Sequence, residues 1–383
     1  MKSFLIFYGS YGGGHLSAAK AIKNYIETHY SEDVKVEMID CIEYINKYLN
    51  KVSTDAYKEL AKKMPWIWKQ VYEKSKNGPL SHISSATNKL MSLKLNQLIQ
   101  KVKPDFIIST HPFSTQMCAY LKSKGKITCK LSTIMTDYHI HPQWLVLYGY
   151  TDYFFVSNEE MKNDMIKRGI NDERIFVTGI PVSEKFSQTY DREEICNYFA
   201  LDKNRKTVLF FAGGEFGLGR DITFMTLKAL IRLYPNLQVI AISGKNKKMN
   251  ARFNELVSTT NSSDRIKVLE YTDMVPEIMS ISLGVITKPG GLTTSECLVS
   301  NKPILVINPI PGQEEENAEF LVSHNLGLWL KKGDNISRML KTISRNPEIL
   351  ENIKECQKLY AKPDATKDIS ETIIKKSGLK KEM

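Results

Sequence analysis

Short apolar segments of strand character alternate with helix-like segments along most of the chain. A strand that pairs in parallel with the next one needs a crossover, usually a helix, so this alternation predicts parallel sheets covered by helices. Residues 41–103 carry no strand pattern and are predicted to form several helices. The predicted strands are 4–8, 34–39, 106–109, 131–135, 153–156, 175–178, 207–212, 239–243, 267–269, 285–287 and 304–307.

At 383 residues the chain is long enough for two domains. A turn-rich segment, Gly179-Ile-Pro-Val-Ser183, divides the predicted strands into two series. Two doubly wound α/β domains are therefore predicted, the first over residues 1–183 and the second from residue 184. Ligands of such sheets bind beyond the carboxyl ends of the strands, and the two domains are expected to face each other across a cleft that holds the active site.

The first predicted strand ends in a glycine-rich turn, Gly9-Ser-Tyr-Gly-Gly-Gly14-His15, and a helix-like segment follows directly. Consecutive glycines let a ligand approach the backbone closely, and a helix start directs unpaired N–H groups and a positive dipole end at the same place. His15 is the side chain of this turn that titrates near neutral pH. The turn predicts a site for an oxygen-rich ligand beside an acid/base group. The alternative is that His15 only packs in the wall of the cleft.

A second turn of the same kind, Lys288-Pro-Gly-Gly-Leu-Thr-Thr-Ser-Glu296, follows a predicted strand of the second series. A pyrophosphate would fit at Gly290, Gly291 and Thr293, with Lys288 adding positive charge. Glu296 lies about one turn inside the following helix, where a carboxylate can accept hydrogen bonds from the two hydroxyls of a ribose. This turn therefore predicts a nucleotide site.

A third cluster, Pro309-Ile-Pro-Gly-Gln-Glu-Glu-Glu-Asn317, follows the next predicted strand. Gln313 and Glu314 have polar side chains suited to binding sugar hydroxyls. Asn317 is expected near the phosphates. Taken alone, this cluster also fits a tight turn before a solvated acidic helix start. Weaker glycine turns that end predicted strands are Gly213-Gly214 and Ser243-Gly244-Lys245.

Two further polar groups follow strands of the first series, Thr136-Asp137 and His139-Ile-His141-Pro-Gln-Trp144. In an extended segment the two histidines would point in opposite directions. The six cysteines are scattered without metal-ligand spacing, which is typical of a reducing compartment. No metal ion or cofactor is therefore expected.

The formal net charge of +11 is concentrated in one part of the chain. Residues 58–103 contain ten Lys, two Glu and no Asp or Arg, and two tryptophans lie among these lysines. This composition suits an anionic bilayer surface, with a solvated lysine face over two core tryptophans as the alternative. The residues that would contact the bilayer are Lys62, Lys63, Trp66, Trp68 and Lys69.

Nucleic acid is not expected as a partner, because no recognition motif is present and Lys without Arg is a poor composition for bidentate recognition of phosphate. No apolar run approaches the roughly 20 residues of a spanning helix, and the apolar start is too short for a signal peptide. A cytoplasmic protein is therefore expected.

Three ordered motifs carry a family resemblance over nearly the whole chain: Gly-Ser-Tyr-Gly-Gly-Gly-His15, Lys-Pro-Gly-Gly-Leu-Thr-Thr-Ser-Glu296 and Pro-Gly-Gln-Glu-Glu-Glu-Asn317. Together they resemble the monogalactosyldiacylglycerol synthase and processive diacylglycerol glucosyltransferase family (glycosyltransferase family 28), which is related to the peptidoglycan glycosyltransferase that makes lipid II. His141-Pro-Gln-Trp144 also resembles the family's His-Pro-x-Trp segment on the acceptor side. The resemblance implies a GT-B fold of two Rossmann-like domains, with the acceptor site in the first and the donor site in the second.

The resemblance also implies the reaction, an inverting and metal-independent transfer of a hexose from a UDP-sugar to diacylglycerol. The expected hexose is glucose, with galactose as the alternative, and the transfer is single or processive. The protein is then expected as a peripheral protein on the inner face of the cell membrane. The donor domain would span 184–352, and a helical segment over 353–383 would pack back on the first domain, as is common in the family.

The chemistry assigns roles to named residues. His15 is the first candidate for the general base that takes the proton of the acceptor hydroxyl, and Asp137 is the rival base or the partner of an acceptor-side histidine. The donor-binding set comprises Gly14, Gly213, Gly214, Ser243, Lys288, Gly290, Gly291, Thr293, Glu296, Gln313, Glu314 and Asn317. The acceptor and membrane set comprises Lys62, Lys63, Trp66, Trp68, Lys69, His141 and Trp144.

Three alternatives stay open. A UDP-sugar 2-epimerase would use the same fold without an acceptor, and a non-catalytic nucleotide-sugar sensor would keep the donor loops with an idle base. A nicotinamide-dependent oxidoreductase would need a GxGxxG turn, which Gly12, Gly13 and Gly14 do not form because Ser17 stands where the third glycine should be.

Overall fold

A computed structural model of the chain describes residues 1–9, 13–46, 80–212 and 220–379. The chain divides into two compact units. The first unit comprises Met1–Ser183 together with the C-terminal stretch from Lys362, and the second unit comprises Glu184–Ala361.

The first unit is built on a six-stranded parallel sheet with the strand order β2-β1-β3-β4-β5-β6. Its strands are β1 (Lys2–Tyr8), β2 (Val34–Asp40), β3 (Phe106–Ser109), β4 (Lys130–Ile134), β5 (Tyr153–Val156) and β6 (Ile175–Val177). Its first helices are α1 (Gly13–His29), α2 (Cys41–Asn46), α3 (Leu80–Val102), α4 (Pro112–Ser123) and α5 (Glu159–Lys167), and 3-10 turns cover Pro142–Leu145, Tyr148–Tyr150 and Asp172–Arg174.

The central strand β1 is apolar without interruption because helices cover both faces of the sheet. Phe4 and Ile6 pack in one cluster with residues of α1. Leu5 and Phe7 point to the other face and pack with residues of α3 and α4. The run of four apolar residues that predicted this strand is thus explained by two cores, one on each face.

The second unit contains a second six-stranded parallel sheet with the order β12-β11-β10-β7-β8-β9. Its strands are β7 (Thr207–Phe211), β8 (Gln238–Ile242), β9 (Ile266–Leu269), β10 (Ser282–Thr287), β11 (Ile304–Ile307) and β12 (Gly327–Leu330). Its helices are α6 (Arg192–Tyr198), α7 (Arg220–Leu233), α8 (Lys247–Thr259), α9 (Val275–Ile281), α10 (Gly291–Val299), α11 (Gln313–Ser323), α12 (Ile336–Arg345) and α13 (Glu348–Tyr360), and a 3-10 turn covers Glu184–Ser187. The predicted parallel sheets are confirmed.

The edge strand β12 was not predicted from the sequence. It is only four residues long and contains no β-branched residue, so its own pattern is weak. A Cβ at Gly327 would lie 2.9 Å from the carbonyl oxygen of Ile304. Pairing with β11 therefore requires a glycine there, and a glycine weakens the strand signal in the sequence.

The last helix, α14 (Ala365–Lys376), belongs to the first unit. The Glu371 carboxylate accepts hydrogen bonds from the hydroxyls of Tyr25 (3.0 Å) and Tyr30 (2.6 Å) of α1 and its C-terminal end. Gly179 has φ +87°, and a Cβ there would lie 2.5 Å from the Cβ of Lys362. The turn-rich segment predicted at residues 179–183 thus leaves room for the chain where it returns to the first unit at Lys362.

The chain returns to the first unit at Lys362 rather than at residue 353. Helix α13 stays in the second unit because it buries Ile353 and Gln357 there. The Gln357 amide donates to the carbonyls of Lys302 (3.0 Å) and Leu326 (2.8 Å). The boundary expected at 352/353 is corrected accordingly.

None of the helices in the described ranges has the length and apolar character needed to cross a membrane.

Candidate functional site

Polar residues that follow β1, β3 and β4 meet at the carboxyl end of the first sheet, around His15. The Thr110 amide donates to the Phe7 carbonyl (2.9 Å), and the Thr110 hydroxyl donates to the His15 carbonyl (3.0 Å). The hydroxyl oxygen of Thr136 lies 3.1 Å from Nδ1 of His15. Two loops far from α1 in the sequence, at Thr110 and Thr136, therefore contact His15 and hold the first turn of this helix in place.

The Thr110 carbonyl fixes the protonation pattern of His15. Its oxygen lies 2.6 Å from Nδ1 of the half-buried ring, and a carbonyl can only accept, so Nδ1 carries a proton. In the neutral ring, Nε2 then keeps its lone pair. Burial lowers the pKa of His15 to about 4, against the opposing effect of the Thr110 hydrogen bond. The ring is therefore neutral near neutral pH, with Nε2 as a proton acceptor.

A second histidine, His111, stands beside the first. The two rings meet edge to face with 4.6 Å between their centroids. Nδ1 of His111 accepts the Phe113 amide hydrogen at 3.2 Å and caps α4. Burial, followed by the neighbouring His15, holds its pKa well below the usual range. His111 was not selected from the sequence, because its position between a strand end and a proline gives no reason to place it against His15.

The position of the His111 ring leaves no space for a side chain at Gly9. A Cβ at Gly9 would lie 2.7 Å from Cδ2 of His111 and 2.8 Å from Cδ1 of Ile42. A Cβ at Gly13 would meet no described atom within 4 Å. The two glycines of this turn thus serve different purposes: Gly9 admits a neighbouring side chain, whereas Gly13 leaves the surface open.

Trp144, a member of the predicted acceptor and membrane set, lies in the interior and does not reach the surface. Its side chain is 1% exposed and packs in the core with Met135 and Phe154. Its ring centroid is 6.4 Å from that of His15. His141 caps the 3-10 turn that carries Trp144, with Nδ1 accepting the Gln143 amide hydrogen at 3.3 Å. The His-Pro-Gln-Trp segment therefore forms an inner wall beside His15.

Asp137 follows directly after Thr136, the residue that contacts His15. Its side chain is buried, with 5% exposed. Its backbone carbonyl accepts a hydrogen bond from the Ser157 hydroxyl (2.8 Å), which fixes this loop. The rival base is thus in the loop that touches His15.

Of the predicted donor residues, Gly14 lies in the first turn of α1, one residue before His15.

Seven predicted site residues lie outside the described ranges: Lys62, Lys63, Trp66, Trp68, Lys69, Gly213 and Gly214.

In the second unit, the glycine turn after β10 starts α10 as predicted. Gly290 is the N-cap, and a Cβ there would meet no described atom within 4 Å. Lys288 and Thr293 are half-buried beside it. Thr294, which the sequence gave no reason to select, buries its hydroxyl without a hydrogen-bond partner among the described residues. A ligand at this helix start would meet open backbone at Gly290.

Glu296 lies one turn further along α10 with a half-buried carboxyl group. Burial raises the pKa of Glu296 to about 8. Within the described ranges, no hydrogen bond or ion pair engages this carboxyl group. A carboxylate that is partly desolvated and unpartnered can gain from hydroxyl donors on a ligand.

The third motif is joined to the second through Asn317. Its side chain is 1% exposed, and Nδ2 donates to the Pro289 carbonyl at 3.0 Å. Within the motif, the Glu314 carboxylate accepts the Ile310 amide hydrogen at 2.6 Å, and Gln313 is exposed at the start of α11. Asn317 thus supports the glycine turn from behind, and Gln313 is the more accessible side chain.

Ser243, expected in the donor set, is fully buried. Its hydroxyl donates to the Leu269 carbonyl and accepts from Nδ2 of Asn250, both at 3.0 Å. These bonds tie the end of β8 to β9 and α8. The Ser243 hydroxyl therefore donates its one proton to a hydrogen bond within the protein.

In the described parts of the chain, no group of three or more His, Cys, Asp or Glu residues is arranged to hold a metal ion.

Two family models match the chain. The model described as monogalactosyldiacylglycerol (MGDG) synthase matches residues 15–182, and the model described as UDP-N-acetylglucosamine 2-epimerase matches residues 146–374. A processive diacylglycerol beta-glucosyltransferase of Staphylococcus epidermidis is 30% identical over 350 residues, which cover 91% of this chain and 86% of the relative. An enzyme of the same name from Bacillus cytotoxicus is 29% identical over 378 residues, which cover 97% and 93%.

Solved structures resemble the chain over its full length. The UDP complex of Staphylococcus aureus MnaA has a TM-score of 0.67 at 17% identity, covering 100% of this chain and 98% of that one. MurG of Acinetobacter baumannii has a TM-score of 0.65 at 13% identity, covering 98% and 100%. These likenesses confirm the GT-B fold.

Proposed function

Because this chain belongs to the monogalactosyldiacylglycerol synthase and processive diacylglycerol glucosyltransferase family, we propose that it transfers a hexose from a UDP-sugar to diacylglycerol. The names of the relatives support diacylglycerol as the acceptor, and the UDP bound in the MnaA complex supports a UDP-sugar as the donor. The observation that carries the proposal is the state of His15, a neutral imidazole whose Nδ1 is held by the Thr110 carbonyl. Such a ring can take a proton from a hydroxyl.

On the acceptor side, a neutral glycerol hydroxyl is a weak nucleophile. Nε2 of His15 takes its proton as the oxygen forms a bond to the anomeric carbon of the sugar. The bond from that carbon to the UDP oxygen breaks, and UDP leaves with the electron pair. Attack from the side opposite the leaving group inverts the configuration. The Thr110 carbonyl, 2.6 Å from Nδ1, stabilises the imidazolium that results.

On the donor side, the second unit provides the positive charge that the leaving UDP needs. The start of α10 at Gly290 and Gly291 binds the pyrophosphate, with Lys288 beside it. This arrangement is the basis for proposing transfer without a metal ion or cofactor. Glu296 binds the ribose hydroxyls, and Gln313 with Glu314 binds the hexose, which we propose is glucose.

The acceptor is a membrane lipid, so the protein is proposed to work as a peripheral protein on the inner face of the cell membrane. The lysine-rich segment with Trp66 and Trp68 remains a proposed contact for an anionic lipid surface.

The test is to supply UDP-glucose or UDP-galactose with vesicles that contain diacylglycerol and to follow glycolipid and UDP. Equimolar glycolipid and UDP support the proposal. Release of UDP without glycolipid, or binding without turnover, contradicts it. The configuration at the anomeric carbon of the product tests inversion, and activity in a chelator tests metal independence.

A second candidate function is a UDP-sugar 2-epimerase, which is favoured by the family model that matches residues 146–374. It needs no acceptor. Incubation with UDP-N-acetylglucosamine alone distinguishes the two functions, because only an epimerase converts the sugar in the absence of lipid.

A further inference from the structure

The ring of His111 packs against the proposed base, and the proposed chemistry gives this ring no role. The centroids of the His15 and His111 rings are 4.6 Å apart, and the two planes meet at 69°. Phe113 also lies against His111, with 5.2 Å between the ring centroids. The His111 side chain is 4% exposed. An aromatic ring buried so deeply beside a base controls how much water reaches that base and how freely it turns.

The backbone of the glycine-rich turn makes room for this ring. A Cβ at Gly9 would lie 2.7 Å from Cδ2 and 3.0 Å from Cγ of His111, and 2.8 Å from Cδ1 of Ile42. These distances are too short for a real side chain, so position 9 has to be a glycine while His111 keeps its place. The packing of His111 therefore accounts for the first glycine of the turn that leads to His15.

One ring nitrogen of His111 has a structural task. Nδ1 accepts the amide hydrogen of Phe113 at 3.2 Å and caps α4. A backbone amide nitrogen only donates, so this Nδ1 carries no proton, and in the neutral ring the proton is on Nε2. Burial, followed by the neighbouring His15, holds the pKa of His111 well below its ordinary value. Near neutral pH, His111 is therefore an uncharged aromatic neighbour of His15.

Four described residues surround the His15 ring. The Thr110 carbonyl and the Thr136 hydroxyl lie 2.6 and 3.1 Å from its Nδ1. The ring centroids of His111 and Trp144 lie 4.6 and 6.4 Å from its own. None of these four groups is charged near neutral pH. The two aromatic rings therefore keep water from the imidazole, and His111 is the closer of the two.

Titratable side chains also occur on the described loops that meet His15. They are His111, Asp137, Tyr138, His139 and His141. The lowered pKa of His15 has burial as its cause, opposed by the Thr110 hydrogen bond, and not the charge of one of these groups. A change in the burial of His15 should therefore change its pKa directly.

We propose that His111 is a positioning residue for the transfer reaction: its ring shields the imidazole of His15 from water and fixes its plane, so that Nε2 meets the acceptor hydroxyl as a neutral base. The inference rests on the proposed function and on the role of His15 in it. It gives one side chain two tasks, because Nδ1 caps α4 while the ring packs against His15.

Two substitutions separate these tasks in the full chain. His111→Asn removes the ring and keeps the cap, because asparagine is a favoured N-cap residue. His111→Phe is the conservative variant for packing, since it keeps an aromatic ring and removes the acceptor of the Phe113 amide hydrogen. His29→Asn, at the exposed C-terminal end of α1, is the control.

The pKa of His15 is measured directly, by NMR titration of protein that carries isotope-labelled histidine. His15→Gln assigns its signals among the seven histidines. Circular dichroism and Tm report folding, and steady-state kinetics give kcat and the KM of each substrate.

In His111→Asn, we expect the pKa of His15 to rise from about 4 toward the ordinary value of about 6.5, because water reaches the ring. The acid limb of kcat/KM for diacylglycerol, measured at saturating UDP-glucose, should move up with it. At about pH 8 kcat should fall by at least about tenfold, because the base is no longer held in place. The KM for UDP-glucose should stay as in the wild type.

In His111→Phe, the pKa of His15 should stay low and most of the wild-type kcat should return, while Tm falls because the cap is lost. The His29→Asn control should match the wild type in every measurement. An unchanged His15 pKa in folded His111→Asn overturns the proposal. So does an equal rise in both His111 variants, because the effect then follows from the histidine itself and not from an aromatic ring.

If His111→Asn does not fold, Gly9→Ala makes the same test. Its Cβ displaces the His111 ring while both histidines stay in the sequence. The pKa of His15 should rise in this variant too, and an unchanged value overturns the proposal.

Failure of the proposed function is read separately, because the titration of His15 needs no substrate. If the wild-type protein makes no glycolipid from a UDP-hexose and diacylglycerol, the transferase proposal fails while the titration still tests the shielding by His111. If the pKa rises in His111→Asn and kcat stays at the wild-type value, His111 shields a histidine that is not the base, and the positioning role is overturned.

Discussion

The side-chain amide of Asn317 donates a hydrogen bond to the carbonyl of Pro289 at 3.0 Å, and this bond joins the second and third glycine motifs. Asn317 is the last residue of one motif, and Pro289 immediately precedes the N-cap Gly290 of the other. The bond is buried, so Asn317 supports the turn and does not face solvent. We therefore expect Asn317 to position the glycine turn and not to contact the phosphates itself.

Replacing Asn317 with Ala should raise the KM for the UDP-sugar by about tenfold, because a buried carbonyl loses its donor, at a cost of about 1–3 kcal/mol. The KM for diacylglycerol should change little. Steady-state kinetics with each substrate varied in turn measure both constants. The matched control is Asn254→Ala, an exposed amide whose hydrogen bonds stay within α8. Equal effects on both KM values, or none, would contradict the positioning role.

His15→Ala should lower turnover by several hundred-fold or more while UDP-sugar binding stays nearly intact, since general base catalysis contributes about 10²–10⁴-fold. Rapid-mix turnover and calorimetric binding of UDP-glucose measure the two effects. His29→Ala, at the exposed C-terminal end of the same helix, is the control. Near-normal turnover of the His15 variant would remove it as the base and favour Asp137.

The pH profile of the wild-type enzyme gives an independent test of His15. Burial lowers its pKa to about 4. A histidine below its pKa is protonated and cannot accept a proton, so kcat/KM for diacylglycerol, measured at saturating UDP-sugar, should fall only as the pH drops toward about 4. A limb near the ordinary histidine pKa of about 6.5 would show instead that a more exposed group controls the reaction.

UDP-glucose binding should strengthen as the pH rises toward 8. Burial raises the pKa of the free Glu296 carboxyl group to about 8. Ribose hydroxyls that donate to it favour the ionised form, so the pKa falls on binding and a proton is released below pH 8. Calorimetry in buffers of different ionisation enthalpy measures that proton. UDP-glucose is used because its diphosphate does not titrate in this range.

Glu296→Gln should abolish the pH dependence and weaken binding, whereas Glu319→Gln, at an exposed position of α11, should leave both as in the wild type. Wild-type binding that takes up or releases no proton near neutral pH would exclude Glu296 from the ribose site.

Tyr30→Phe should destabilise the first unit by about 1–2 kcal/mol, because a hydrogen bond to a charged acceptor is lost. The Tyr30 hydroxyl donates to the Glu371 carboxylate at 2.6 Å and so ties the end of α1 to α14. Burial, with a contribution from Glu371, raises the pKa of Tyr30 to about 12. Urea unfolding followed by circular dichroism measures the loss, with the exposed Tyr198→Phe as control. Equal stability of both variants would show that the contact is not stabilising.

The sequence by itself determined most strands, although not β12, and the strand ends at which the predicted site residues lie. Apolar runs such as Phe4 to Phe7 required sheets covered on both faces, and glycines before a helix start marked Gly290 without any fold information. The family resemblance followed from the order of these motifs. Local patterns of this kind depend on neighbouring residues, so the sequence contains them directly.

Contacts between distant segments were decided only by the tertiary structure. His111 reaches His15 because β1 and β3 are adjacent in the sheet. Trp144 is an interior wall and not a surface anchor because its 3-10 turn packs against the core around Phe154. The chain returns at Lys362 because α13 already buries Ile353 in the second unit. Burial and pairing depend on which segments become neighbours, and that is fixed by the packing of the whole unit.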